Sequence, residues 1–269
     1  MKIMKNVLYC CIPLLFLACE EATDWQLEAG DNGQLVVEAT LTNESRVQEI
    51  RLSQSYSELN GAALPVTDAT VTVVANGQMV AFLPDIQDAG LYRSERSFRV
   101  IDDLEYTLLI DWQGREYTAR TELAAVAPLP PITFQHYGKA DSLAFADFAP
   151  IYHPDQQAMY RMQVDWSHLS NRPSDRALLY YYTFSSVDVG GLVRPLRDTV
   201  FFPPGSVIVA RKFGLNDAYA DYLRALVIET EWRGGAFYSA AASLSGNISN
   251  GALGFFSACA VDADTLVAE

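Results

Sequence analysis

The chain has 269 residues and a formal net charge of −14, from 33 acidic and 19 basic residues. This balance excludes a protein that binds nucleic acid through a basic surface, because neutralising phosphates requires an excess of Lys and Arg. Hydrophobic residues make up 50% and charged residues 19% of the chain, which excludes an intrinsically disordered protein. The sequence therefore predicts a folded, acidic protein.

The N-terminus has the pattern of a secretion signal. A short basic start is followed by an apolar run over 7–17, which is too short for a bilayer core that requires about 20 residues. Ala18 and Cys19 end the run and resemble the lipobox of bacterial lipoproteins, in which the cysteine is acylated and becomes the new N-terminus. An ordinary signal peptide cleaved near Ala18 is the alternative. Loss of the leader removes Lys2 and Lys5 and no acid, so the mature charge would be −16.

Two glutamates, Glu20 and Glu21, follow Cys19 directly. Acidic residues at this place resemble the surface-export signal of lipoproteins in the Bacteroidota. They imply a protein anchored to the lipid bilayer of the outer membrane through Cys19 and facing the cell exterior. The alternative is a solvated acidic linker in a lipoprotein that faces the periplasm.

The remaining cysteines leave no disulfide. Cys10 and Cys11 lie in the predicted signal, so Cys259 is the single thiol left after acylation of Cys19. Cys259 belongs to an apolar run typical of a strand, and we expect it to be buried and unreactive.

A polar tether over 19–33 precedes a first β-rich region over 34–124. Short runs typical of strands alternate there with turn signals, of which Asn76-Gly77 and Gln113-Gly114 are the clearest. This pattern predicts an immunoglobulin-like or transthyretin-like β-sandwich. The predicted strands are 35–41, 47–56, 69–74, 78–83, 91–100, 106–112 and 116–123.

Three prolines within 125–131 favour an extended linker, which we take as a domain boundary. The region that follows, 132–269, is also β-rich and has one prominent predicted α-helix near 217–233. Asn216 is its expected N-cap, and an apolar stripe runs along it. The predicted strands of this region are 160–168, 178–187, 207–213 and 255–261.

Aromatic side chains are the candidate binding residues. On a strand, Tyr180 and Tyr182 share one face and Tyr181 lies on the other. One set belongs to the core, and the other could form a platform for a sugar or peptide or a contact with a barrel. Phe201 and Phe202 precede two prolines and could form an exposed apolar tip, with the core as the alternative.

The sequence has no recognisable catalytic, phosphate-binding or metal-binding motif. His136, His153 and His168 are widely spaced, and we expect each at the surface or in a hydrogen bond. Acidic pairs such as Asp102-Asp103 supply too few oxygens to bind calcium alone. We therefore expect no cofactor, no metal ion and no enzymatic activity.

Three Asp-Ser/Thr-apolar triplets resemble the O-glycosylation sites of secreted Bacteroidota proteins. Their hydroxyl residues are Ser142, Thr199 and Thr265. About one such triplet is expected by chance, so the three are candidates for modification on the resemblance alone.

A resemblance to a known family covers nearly the whole mature chain. The stretches that carry it, in order, are 35–43, 50–53, 66–73, 90–92, 106–108, 117–119 and 246–256. Together with Cys19 they resemble the Bacteroidota lipoprotein family catalogued as domain of unknown function 4249. The resemblance implies a lipoprotein of the cell surface or outer membrane, often encoded beside TonB-dependent receptors. The family has no agreed activity, so no catalytic residue is implied.

This resemblance and the lipobox favour an accessory subunit of a TonB-dependent receptor that helps to capture or gate a nutrient. An envelope-structural or adhesion lipoprotein without a transport role is the first alternative. A surface hydrolase is the second, and it would require two carboxylates facing each other across a cleft.

Overall fold

The computed structural model describes residues 33–55, 62–138, 142–170, 172, 174–186, 199–230 and 244–269. These residues form mainly β-strands, which confirms the predicted mainly β class. The predicted signal and the predicted tether up to residue 32 lie outside the described residues, so the lipid anchor stays a prediction.

Fifteen strands and two helices are defined in the described residues. The strands are β1 (Leu35–Thr42), β2 (Glu49–Gln54), β3 (Leu64–Pro65), β4 (Thr70–Ala75), β5 (Gln78–Pro84), β6 (Leu91–Ser94), β7 (Glu105–Trp112), β8 (Arg115–Ala124), β9 (Phe134–Tyr137), β10 (Ser142–Phe145), β11 (Ala158–Asp165), β12 (Arg176–Thr183), β13 (Val207–Gly214), β14 (Leu253–Cys259) and β15 (Val261–Val267). The helices are α1 (Ser167–Ser170) and α2 (Asp217–Thr230). Of these elements, β3, β9, β10, β15 and α1 are not among the predicted ones.

Eight strands form a closed sheet in the order β1-β14-β8-β7-β4-β5-β6-β2, and β2 pairs again with β1. Two of its hairpins turn where the sequence predicts. Asn76 and Gly77 connect β4 to β5, Gln113 and Gly114 connect β7 to β8, and all four have positive φ. Positive φ at both central positions is the type I′ geometry, whose twist matches that of antiparallel strands.

The ladders that close this sheet differ in length. β7 and β8 pair along their whole length, from Glu105–Glu122 to Trp112–Arg115. By contrast, β14 meets β8 through 258–259 opposite 123–124. The closed sheet is therefore held less firmly at this joint than along its hairpins.

Strand β14 comes from the C-terminal part of the chain and lies parallel to β1 and β8 inside the closed sheet. The sheet therefore combines residues from both sides of 125–131, and the expected division into 34–124 and 132–269 does not follow the sheets. Local patterns cannot predict this pairing, because the register partners are 217 positions apart for β1 and 135 positions apart for β8. From Asn32 to Glu269 the chain forms one compact unit.

Alternate side chains fill the interior of the closed sheet. In β1, Leu35, Val37, Ala39 and Leu41 are buried, while the residues between Leu35 and Leu41 on the other face are half-buried or exposed. Phe256 of β14 joins them in the same core. Because burying apolar surface stabilises the fold by roughly 25 cal/mol per Å², this alternation determines which face of each strand turns inward.

A second, four-stranded sheet has the order β12-β11-β13-β15, and β9 and β10 form a separate hairpin. Met162 and Val164 of β11 and Ile208 of β13 are buried on one face of this sheet. Leu143 of β10 and Phe202 lie in the same cluster, so the hairpin covers that face.

The proline-rich segment packs against this second sheet. It has no regular secondary structure, as its prolines predict. The Lys212 ammonium donates to the carbonyl oxygen of Pro128 at 3.2 Å, and the Leu129 N–H donates to the Asp262 carboxylate at 2.6 Å. A Cβ on Gly214 would lie 2.0 Å from the carbonyl oxygen of Ala125, so glycine is required where the segment crosses β13. The segment is therefore held by both polar and steric contacts.

Helix α2 begins where the sequence predicts. The Tyr219 N–H donates to the Asn216 side-chain oxygen at 2.9 Å, which is the expected N-cap. Tyr219, Ala220, Leu223 and Val227 form its buried stripe. The expected end near 233 lies outside the described residues. No helix among the described residues is long and apolar enough to cross a membrane.

Several strands end earlier than predicted, where a polar side chain forms a hydrogen bond with nearby backbone. β11 ends at Asp165, whose carboxylate accepts the Ser167 N–H at 2.9 Å and turns the chain into α1. His168 therefore lies on α1 and not on a strand. β6 ends at Ser94, whose hydroxyl donates to the Arg96 carbonyl oxygen at 2.8 Å. Short side chains that hydrogen-bond nearby backbone compete with strand pairing in this way.

Candidate functional site

A cleft of about 320 Å³ lies between the closed sheet and the second sheet. One wall is formed by β1, by Arg46 in the loop that follows it, and by Glu49 at the start of β2. The other is formed by β11, β12 and β13, and α2 lines one side. A volume of this size lies at the lower end of small-molecule sites. The residues that line it are Val37, Glu38, Ala39, Thr40, Thr42, Arg46, Glu49, Met159, Arg161, Tyr180, Arg211, Phe213, Tyr219, Tyr222, Leu223, Leu226 and Phe255.

Two arginines lie side by side in the cleft. Arg161 of β11 and Arg211 of β13 are register partners in the antiparallel ladder, so their side chains project from the same face. Like charges at directly opposite positions of a sheet are destabilising. Each of the two positive charges therefore requires a compensating group nearby.

Arg211 is compensated by the loop after β1. Its guanidinium lies 3.3 Å from one carboxylate oxygen of Glu44, and both side chains are mostly buried. The other Glu44 oxygen lies 3.8 Å from the guanidinium of Arg46. Arg46 in turn lies 3.8 Å from the carboxylate of Glu49. Two arginines and two glutamates thus form a chain of ion pairs that is neutral in sum.

Arg161 is not part of this chain. Its guanidinium has no hydrogen bond or ion pair to any described residue, and its Nε atom is buried. Its guanidinium carbon lies 5.9 Å from the centre of the Phe213 ring. Burial, and second the positive charge of Arg211, lower the pKa of Arg161 below its ordinary value. The guanidinium remains protonated at neutral pH nonetheless, because an arginine does not lose its proton in a protein.

Apolar and aromatic side chains complete the cleft. Tyr219 stacks on Phe255 with ring centres 5.0 Å apart, and Tyr222 lies 5.1 Å from the same ring. The Tyr219 hydroxyl is 3.3 Å from the Thr40 hydroxyl, so its polar end is satisfied. Burial raises the pKa values of both Tyr219 and Tyr222. Both phenols therefore stay protonated at neutral pH and form uncharged parts of the cleft wall.

The acidic residues of the cleft lie toward its rim. Glu38 is exposed, and its register partner on β2 is Arg51. Glu49 also lies 3.5 Å from Arg93, in addition to its contact with Arg46. Glu49 is therefore shared with an arginine of the surrounding surface, whereas the Arg51 guanidinium pairs with Asp88 and leaves Glu38 exposed at the cleft.

This arrangement is suited to binding an anion next to an apolar group. A guanidinium donates hydrogen bonds in a fixed fork that matches a carboxylate. Among the described residues, no group of three His, Cys, Asp or Glu side chains is placed to hold a metal ion. Cys259 is fully buried and its pKa is raised by burial to about 12, as expected of an unreactive thiol.

The three predicted tyrosines lie in different environments. Tyr180 is exposed and lines the cleft. Tyr181, on the opposite face, packs edge-on against Phe148 with ring centres 5.2 Å apart. Tyr182 stacks on Phe184 with ring centres 5.8 Å apart. Of the three, Tyr180 is the residue that could contact a ligand in the cleft.

The two predicted phenylalanines also separate. Phe202 is buried in the core beneath the β9–β10 hairpin. Phe201 is 51% exposed and packs edge-on against Tyr137 with ring centres 5.1 Å apart. An exposed apolar tip is therefore present at Phe201 and Tyr137, and Phe202 supports it from below.

The other predicted residues lie away from the cleft. Thr199 and Thr265 are exposed, and Ser142 is half-buried on β10, so the first two hydroxyls are the more accessible for glycosylation. Cys19, Glu20 and Glu21 lie outside the described residues. The modifications predicted at these positions stay predictions.

Sequence reasoning missed Arg161 and Arg211. Strand β11 alternates between two faces, and one of them carries Ala158, Tyr160 and Met162. Arg161 falls on the other face, which the pattern predicts to be the polar one. Nothing in that pattern indicates that the closed sheet covers this face. The signal is a tertiary one, since it depends on β1 and α2.

The fold and the cleft define the class: a mainly β protein whose closed sheet and second sheet enclose an arginine-lined, partly apolar cleft. The chain belongs to the family described as a domain of unknown function (DUF4249), whose pattern matches residues 20–265. The family expected from the sequence is thereby confirmed. No curated protein matches the chain.

Proposed function

We propose that the protein is a lipid-anchored accessory subunit of a TonB-dependent outer-membrane receptor and that it captures a small ligand for that receptor. The observation that carries the proposal is the cleft of about 320 Å³, with one unpaired arginine among aromatic side chains. Arg161 is half-buried, and a charge partly removed from water without a partner costs stability, so its presence favours a role in binding.

The proposed location rests on the N-terminal sequence. Acylation of Cys19 would supply the anchor, because each buried methylene of an acyl chain contributes about 0.8 kcal/mol. Glu20 and Glu21 support export to the outer face of the membrane in a bacterium of the Bacteroidota. The residues between Cys19 and β1 would act as a tether.

The proposed partner rests on the family resemblance and on the exposed aromatic tip. Phe201 and Tyr137 present apolar edges that a barrel receptor could cover. Candidate glycosylation at Thr199 and Thr265 would suit a protein exposed outside the cell. No catalytic role is proposed, because the carboxylates of Glu44 and Glu49 are engaged with arginines and leave no pair of free carboxylates facing each other.

We also propose that the closed sheet is a flattened sandwich of the immunoglobulin-like or transthyretin-like kind. Long ladders join β14-β1-β2 on one side and β8-β7-β4-β5 on the other. Short ladders connect these two groups, directly at 258–259 with 123–124, and through β6, which pairs over three residues with both β2 and β5. Two layers joined by strands at such corners are typical of sandwiches.

Affinity purification of the chain from native outer membranes tests the proposed function. We expect a TonB-dependent barrel receptor to co-purify in stoichiometric amount, and deletion of the gene to reduce uptake of the receptor's nutrient. The matched control is Cys19→Ala, which cannot be acylated and should lose both membrane association and the receptor. Recovery of the chain without a receptor, with uptake unchanged by deletion, would overturn the proposal and favour an envelope-structural or adhesion role.

A further inference from the structure

We propose that the cleft selects a small organic acid, and that Arg161 receives its carboxylate while the aromatic walls hold its apolar body. This inference rests on the proposed function of the cleft as a capture site and names the class of ligand that it takes.

The charge of the cleft favours a monoanion. Arg46, Arg211, Glu44 and Glu49 form the neutral chain of ion pairs, with distances of 3.3 to 3.8 Å. Of the other charged lining residues, Glu38 is exposed, and Arg161 carries the positive charge that has no ion pair among the described residues. One carboxylate neutralises it, whereas a phosphate monoester would bring nearly two negative charges beside Glu44.

The position of Arg161 favours a fork-shaped acceptor. Its Nε is buried, and Phe213 limits the guanidinium on one side. A planar carboxylate can accept two parallel hydrogen bonds from such a guanidinium. Arg211 lies directly beside it in the ladder, but its charge is compensated by Glu44 at 3.3 Å.

The remaining walls favour an apolar body on the acid. Tyr180, Tyr222 and Leu226 line the cleft together with Met159 and Phe213. Tyr180 is 45% exposed, which is a large exposed fraction for a tyrosine on a strand. An aromatic or aliphatic group next to the carboxylate would cover this ring and leave the tyrosine hydroxyl at the rim.

Titration calorimetry with matched probes tests this inference on the mature lipidated protein in nanodiscs. The probes are hydrocinnamate, its neutral amide, and benzyl phosphate. We expect hydrocinnamate to bind with a Kd of about 1 mM or tighter, and the amide to bind at least about tenfold more weakly. Benzyl phosphate is expected to bind more weakly than hydrocinnamate.

Variants assign the carboxylate to Arg161. Arg161→Gln should weaken hydrocinnamate binding at least about tenfold. The affinity of Arg161→Lys for hydrocinnamate should lie between those of Arg161→Gln and the native protein, because lysine keeps the charge but lacks the planar guanidinium that donates two parallel hydrogen bonds. The control is Arg120→Gln, since Arg120 on β8 is 72% exposed and paired with Glu105 outside the cleft. It should bind hydrocinnamate unchanged. The thermal midpoint of each variant without probe establishes that it is folded.

Several results would overturn the inference. They are equal binding of the acid and its amide, tighter binding of benzyl phosphate, full binding by folded Arg161→Gln, and no binding of any probe up to about 10 mM. Receptor co-purification with Arg161→Gln separates this inference from the proposed function. Loss of acid binding with the receptor retained supports both, whereas acid binding without any receptor overturns the receptor role alone.

Discussion

Arg161 and Arg211 occupy partner positions on neighbouring strands but have different surroundings. Arg211 lies 3.3 Å from the Glu44 carboxylate, whereas Arg161 has no ion pair among the described residues. Removing one member of a buried ion pair leaves the other charge uncompensated, but removing an unpaired charge leaves nothing behind. The two residues therefore make opposite contributions to stability.

A pair of substitutions tests this difference. Arg161→Met should leave the free energy of unfolding unchanged or raise it by about 1 kcal/mol, because it replaces an unpaired charge with a side chain of similar length. Arg211→Met should lower it by about 1–3 kcal/mol, because Glu44 loses its closest partner. Urea unfolding of the two variants measures both values. An equal loss of stability in the two variants would contradict the absence of a partner for Arg161.

At the residue scale, the sequence predicts on which face of a strand a side chain lies, but not which distant residues it contacts. Tyr160, Met162 and Val164 alternate along β11 and are buried on one face. The opposite face carries Arg161, and the alternation predicts that this face is exposed to solvent. The cleft arises because β1 and α2 cover that face, which is information that no local pattern contains.

At the scale of the elements, β14 depends on a close backbone approach. Gly254 has φ +96°, and a Cβ there would lie 2.0 Å from the carbonyl oxygen of Val37 in β1. Val37 and Gly254 are register partners in the parallel ladder. Only glycine allows the two strands to approach at this point.

Alanine substitution at two glycines separates this contact from backbone strain. Gly254→Ala should lower the free energy of unfolding by more than about 2 kcal/mol, because it adds a steric clash to the cost of positive φ. Gly251→Ala is the matched control, with φ +76° and no atom within 4 Å of the added Cβ, and it should cost about 1 kcal/mol. Chemical denaturation compares the two. Equal costs would show that the approach of β14 to β1 is not restrictive.

The elements that the sequence predicts well are those with local causes. The hairpin turns at 76–77 and 113–114 and the Asn216 cap depend on a few neighbouring residues. Elements that depend on a distant partner are missed or wrongly assigned. β15 pairs with β13, and β14 pairs with β1, so neither arrangement follows from its own residues.

At the scale of the whole molecule, the closed sheet needs the C-terminal part of the chain. Without β14, the edges of β1 and β8 would be left unpaired, and exposed strand edges favour aggregation. The contacts of Lys212 and Asp262 with 128–129 also join the proline-rich segment to the second sheet. We therefore expect the two regions to fold as one unit.

Truncation tests this expectation. A fragment that ends at residue 131 should aggregate or lose its cooperative thermal transition, since it lacks β14. Adding the complementary piece, 132–269, in trans should restore the transition, followed by circular dichroism. A fragment that melts cooperatively at the midpoint of the full chain would contradict this and would support an independent domain over 34–124.

The sequence by itself determined the mainly β class, the turns, the helix start and the family, and it predicts a lipidation signal at Cys19. Each of these depends on residues close together in the chain, where steric and hydrogen-bonding preferences act directly. Only the tertiary structure decided that β14 completes the closed sheet and that Arg161 lies unpaired in a cleft. Both depend on which surfaces meet across more than a hundred residues, and the free energy of burial that selects them is a property of the whole fold.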